Sequence, residues 1–297
     1  MDLAAASTPV DLSRLAAPDL VEQLTFDAIV GQLVDAIRAR WSDFDAVLDS
    51  DPVMLILQAL AYREMHLRAD FNDRARQLLL AFAGGANLDH LGALMGLPRL
   101  TVAPANPLTG ADTVMESDDA FRQRIVLAPE SFSVAGPSLA YVAFARRADG
   151  DVADASVISP TPGVVVVTVL SATGAGVASP ALLATVRAQV DDKAVRPLTD
   201  AVTVQSATIV PFAIDARVWT FSGPDAGLVL DTGRARLAGY IADSRRLGRA
   251  IRRSGIEGAL QVAGVERVEL PGWTDVVLDA TRAAHCTGIT VTHAGYA

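Results

Sequence analysis

At Val152 the apolar periodicity of this chain changes from helical spacing to alternation in Val-rich runs, and that switch constrains the fold more than any other feature. Before it, apolar residues recur every three or four positions: Ile29, Leu33 and Ile37 between Asp27 and Arg40, then a much longer run after Pro52. After it, strands are expected at 152–158 and 163–170, joined by the turn Pro160-Thr161-Pro162-Gly163, then a helix capped by Ser179-Pro180 to Val190 and a strand at 201–206. A second unit of similar order follows: a strand at 208–221, a helix from Pro224 to Ser244, a helix at 254–262, a strand at Val265–Leu270 and a last strand-like stretch from Thr281 to His293. The fold class is therefore α+β, with a helical N-terminal half, its long helix in a bundle, followed by two small α/β sandwich-like units. The domain boundaries expected are an extended arm at 1–26, a helical bundle-forming region at 27–150, a first α+β unit at 151–207 and a second at 208–297.

The run from Val195 to Ala207 joins the two α/β units. Its arginine, proline-fixed turn and alternating Val202 and Val204 deliver a strand to a sheet edge and activate no nucleophile. With 297 residues the chain has room for two or three cores. A hydrophobic fraction of 51% and a mean hydropathy of +0.32 are high, yet charge breaks each apolar stretch too early for a bilayer span. Asp2 and Asp11 stand where a secretory leader carries basic residues, so residence in the cytoplasm is the expectation. A net charge of -9 argues against nucleic acid or an anionic membrane as partner. Cys286 is the single cysteine, which excludes an intrachain disulfide and a cysteine-based zinc site.

The long helix is expected to begin after Ser50 or Asp51 and to run to about Phe82, with Val53, Leu57, Leu60, Leu67, Phe71, Leu78 and Phe82 in a near-heptad stripe. Two readings stand: an ordinary core helix, or a helix shared with other chains in a bundle. Gly84-Gly85 would stop it, and Asn87 would cap a short helix through Met95. Ser117 would cap the next helix, with Glu116, Asp118 and Asp119 favouring its positive end rather than forming a metal or acid/base group. Arg245, Arg246, Arg249, Arg252 and Arg253 form a basic cluster in an acidic chain. It reads either as a solvated face or as a surface docking on an acidic subunit.

Candidate chemistry is sparse. Gly174-Ala175-Gly176 resembles half of a phosphate-binding fingerprint, but Ser179 stands at the third glycine position and the preceding strands form a hairpin. An α/β enzyme binding a phosphorylated ligand at Gly174–Ser179 is the competing reading. His285 and Cys286 are neighbours in a strand, so their side chains diverge, and Cys286 is expected to be a buried apolar filler. His66, His90 and His293 are isolated, and no nucleophile elbow, P-loop or metalloprotease motif occurs.

Several short segments in order along the chain resemble the baseplate J-like proteins of contractile-tailed temperate phages and tailocins. They are Leu48-Asp49-Ser50-Asp51-Pro52 with Ala61-Tyr62-Arg63-Glu64, Gly85 to Leu91, Glu116 to Ile125, Gly136-Pro137 with Ala140-Tyr141, Ser159 to Gly163, Val195 to Asp200, and Cys286-Thr287-Gly288-Ile289. Pro129 departs from the family pattern and puts the end of its helix in question. The resemblance implies a structural wedge protein of a virion or phage-tail-like particle, assembled in the bacterial host cytoplasm, with no catalysis and no cofactor. It implies pairing with itself, a smaller wedge partner held through a helical bundle, and a sixfold ring around the central hub or spike. A lysozyme-like sheath-initiating baseplate protein is implied nearby, as is ring opening that passes on the signal for sheath contraction.

Overall fold

The computed structural model describes residues 12–45, 48–132, 136–193, 195–223 and 225–296. Residues 1–11 of the expected arm, and Pro224, lie outside them. Contacts divide the chain into two compact units, Val10–Pro98 and a second that contains Arg99–Ala297.

The first unit is helical. α1 (Phe26–Arg38) is capped by Thr25, whose hydroxyl accepts from the Ala28 amide, and α2 (Pro52–Arg76) opens on its proline after Asp51. Met54 and Leu57 of α2 pack with Phe44 against Val30, Leu33, Val34 and Ile37. α2 stops at Arg76 rather than near Phe82 because Gln77 takes over the turn. Its amide donates to the Phe82 carbonyl at 3.1 Å and accepts from the Gly84 amide at 3.0 Å. That bond also sets Gly84 as the cap of α3 (Gly85–Leu94), so Asn87 lies inside the helix instead of capping it. Gly96, with φ 67°, follows its end.

In the second unit a short hairpin of β1 (Thr101–Ala103) and β2 (Val114–Met115) leads to α4 (Asp118–Leu127), capped by Ser117. Pro129 ends the α-helix as its missing amide requires, and a 3-10 turn, Ala128–Phe132, continues the chain. Then α5 (Ser138–Ala148) covers the sheet of β3 (Val152–Thr161), β4 (Val164–Ser171) and β5 (Ala201–Ser206), with α6 (Pro180–Val190) as the crossover from β4 to its parallel neighbour β5. Val165, Val167 and Val169 point inward with Val204 against Tyr141, Phe144, Leu182 and Val186. This is the central domain.

The C-terminal domain repeats the two-layer plan. β6 (Thr208–Thr220) lies between β7 (Val265–Glu269), antiparallel, and β8 (Arg282–Tyr296), parallel. Phe212, Ile214, Ala216 and Val218 alternate inward beneath α7 (Ala226–Ser244) and α8 (Arg253–Leu260). The architecture is mixed α+β, helical first but for the β1–β2 hairpin, with both three-stranded sheets after Val152.

Candidate partner interfaces

α2 has two apolar faces, and only one is satisfied within the unit. The inner face is Met54, Leu57 and Ala61, all buried, continued by Asn72. The outer face is Val53, Ile56, Leu60, Leu67 and Phe71, each between 39% and 61% exposed. Val53, Ile56, Leu60 and Leu67 follow heptad spacing, exposed Arg63 and Asp70 occupy two positions of the same seam, and Phe71 lies one residue past the last of them. Of the residues expected in one stripe, Leu57 therefore belongs to the inner face, Leu78 lies beyond the helix and is 73% exposed, and Phe82 is half-buried in the turn that follows. Ile56 was not singled out by periodicity, because adjacent Ile56 and Leu57 both fit an apolar rhythm and only packing against α1 tells them apart.

Beside the seam, α2 holds an extended stretch of chain. The fully buried Asn72 accepts from the Leu20 and Val21 amides at 3.0 and 2.9 Å and donates to the Val21 carbonyl at 2.7 Å. Arg68 donates to the Glu22 carbonyl, and Arg76 pairs with Asp19. Residues 68, 72 and 76 are one helical turn apart, so they read the main chain of residues 18–22 as a ladder.

The arginine cluster separates into two roles. Arg245 donates to the Gly174 carbonyl at 2.8 Å, and Arg253 pairs with Glu257 and donates to the Leu270 carbonyl, so both are used within the fold. Arg246, Arg249 and Arg252 are exposed. The same bond from Arg245 draws a carbonyl of the Gly174–Ser179 loop, while the Ser179 hydroxyl accepts from the Leu182 amide as a helix cap. The loop is thus organised by α6 and by Arg245.

Glu116 departs from the role of helix-end charge. It is 5% exposed, paired with the equally buried Arg124, and accepts from the Leu100 amide at 2.9 Å. Burial lowers the affinity of Arg124 for its proton, and Glu116 opposes that shift. Arg99 and Arg124 both lie over the Phe121 ring, at 5.0 and 5.5 Å from its centroid. Asp118 pairs with Arg99 and Asp119 with Arg122. Cys286 is half-buried beside the C-terminal core rather than fully enclosed, since β8 is an edge strand there. Among the described residues no group of three His, Cys, Asp or Glu side chains is placed to hold a metal, and no helix is long and apolar enough to cross a membrane.

The candidate surfaces are thus an apolar side of α2 that its own unit leaves exposed and a local basic face in a chain of net charge -9, beside the two three-stranded sheets. Family models for the baseplate J-like N-terminal domain, central domain and C-terminal domain match residues 49–106, 133–206 and 212–292 in that order. The chain belongs to the baseplate J-like family. It is 43% identical over 296 residues to baseplate protein J of Escherichia phage P2, covering 96% of this chain and 98% of that protein. It is accordingly a structural protein of a phage tail baseplate. The central and C-terminal family domains coincide with the two sheets, and the N-terminal model takes in α2 and α3.

Proposed function

We propose that this baseplate protein is a non-catalytic wedge component that associates with itself and with a smaller wedge protein. In this reading α2 supplies one helix of a shared bundle, and wedges link into a ring around the central hub, close to the lysozyme-like sheath-initiating protein. The ring transmits the trigger for sheath contraction. The observation that carries the reading is the outer side of α2: five large exposed apolar residues, four of them at heptad spacing, on a helix of 25 residues. A permanent interface is typically richer in such residues than ordinary surface, and it covers about 2,000 Å² or more. The full-length similarity to a phage baseplate protein supports the assembly context. Exposed Arg246, Arg249 and Arg252 are the residues suited to dock on an acidic neighbouring subunit, where they would set orientation more than affinity.

Co-expression with the neighbouring open reading frames, affinity purification and intact-mass measurement test the reading. The expected product holds two copies of this chain and one smaller partner. Leu60→Glu with Leu67→Glu should abolish that complex while leaving a folded chain, because both side chains already face solvent. A complex of unchanged mass in the double variant would overturn the bundle assignment, and a monomer that ignores its neighbours would overturn the wedge reading.

A further inference from the structure

The central and C-terminal domains keep separate cores, and what joins them differs from either. Among the described residues, no helix or strand of the central domain packs along a helix or strand of the C-terminal domain. One residue, Ala207, connects β5 to β6; its amide donates to the Val169 carbonyl at 2.8 Å. Around it lies a small apolar cluster of Leu170, Ala207 and Ala283, with Ala153, Ile209 and Leu247 at its margin.

The rest of the seam is polar. Asp154 of β3 accepts from the Leu247 amide at 3.0 Å, the Ser156 hydroxyl donates to the Ala280 carbonyl, and Arg245 reaches across to the Ser171 and Gly174 carbonyls. Each of these is a side-chain bond to main chain, and water can replace such a bond at small net cost. Beside them runs a cleft of about 440 Å³, walled by Arg146, Asp149 and Asp154 on the central side and by Ala242, Asp243 and Arg246 on the other. The buried Nε of Arg146 and that of Arg245 have no hydrogen-bond partner among the described residues. Both arginines line the cleft, so the seam's polar groups border open space rather than a packed core.

We propose that this seam is a hinge at Ala207, held shut by a polar latch in which Asp154 grips the Leu247 amide and Ser156 and Arg245 fasten the flanks. A single-residue connector limits the motion to a turn, and a small mixed interface lets that turn occur without opening either core. The electrostatics agree. Burial pushes the Asp154 carboxyl above the ordinary carboxylate range, against the pull of Arg146 and Arg246 and of its bonds from the Leu247 and Ala155 amides. The ionised latch would therefore be better hydrated with the seam open.

Thiol labelling reads the motion directly. In a Cys286→Ala background, which removes the only native thiol, Ala283→Cys reports on the seam and Ala216→Cys on the C-terminal core; both native side chains are fully buried. Asp154→Ala should speed maleimide labelling at position 283 at least tenfold and leave position 216 unchanged. Asp154→Asn, which keeps an acceptor for the Leu247 amide, should restore most of the protection. Should Asp154→Ala fail to fold, Ser156→Ala removes a flank of the latch by deleting one hydroxyl and should give a smaller rise of the same selectivity. Equal acceleration at 283 and 216 would overturn the hinge in favour of global loosening, and no acceleration at 283 in a folded latch variant would overturn the latch.

Discussion

Removing Glu116 tests whether the Glu116–Arg124 pair behaves as a buried charge pair should. Both side chains are about 95% removed from solvent, at 4% and 5% exposure, and Glu116 also accepts from the Leu100 amide. Glu116→Ala removes the buried carboxylate that pairs with Arg124 and the acceptor of the Leu100 amide, and losing one partner of such a pair typically costs about 3–5 kcal/mol. For a unit of this size each kcal/mol lowers the midpoint by roughly 2–4 °C, so the transition should fall by roughly 6–20 °C in scanning calorimetry. The double variant Glu116→Leu with Arg124→Met should recover at least half of that loss, because desolvating two charges offsets most of what their attraction gains. A single variant within about 1 kcal/mol of the parent would refute the reasoning, as would a double variant less stable than the sum of the singles.

Two further outcomes follow from single residues. Asn72→Ala removes three bonds to residues 18–22 and should cost about 1–3 kcal/mol while making that stretch a site of rapid proteolysis; retained protection there would show that Arg68 and Arg76 suffice. Asp154 gives a pH dependence of defined sign. Its carboxyl titrates above its unfolded value of about 4, so its favourable contribution is complete below that value and is lost as pH rises through the folded one. Urea unfolding should show the parent losing stability relative to Asp154→Asn over that interval, and a constant difference would contradict the assignment.

The strands were legible because their signals are local. Val164–Val169 is a continuous β-branched run some way before a Ser-Pro helix cap, and residues 208–220 alternate almost without fault, so both strands lie within a residue or two of where the sequence puts them. The long helix was legible in kind but not in extent, since its end depends on Gln77 turning back to Gly84 rather than on any helix breaker. The polar residues that organise the molecule were the least legible. Asn72 meets partners 51 and 52 positions away and Asp154 meets Leu247 across 93. Nothing in their neighbours announces such pairings, because a hydrogen bond between distant segments has no period. Glu116 was placed at a helix start, as its position suggests, and its burial follows only from where Arg124 and Leu100 converge.

The parallel pairing of β8 with β6 has a consequence for how the C-terminal domain comes into being. Thr208 faces Arg282 and the register continues to Thr220 beside Tyr296, so the strand that completes the sheet is supplied about seventy residues after the one it flanks. α7, α8 and β7 can gather on β6 as they emerge from the ribosome, but one whole side of β6 stays unpaired until β8 arrives. During that interval its amides and carbonyls are a template for any extended chain nearby, including another nascent copy. Each copy is thus open to mispairing along that side of β6 until its last strand has been made.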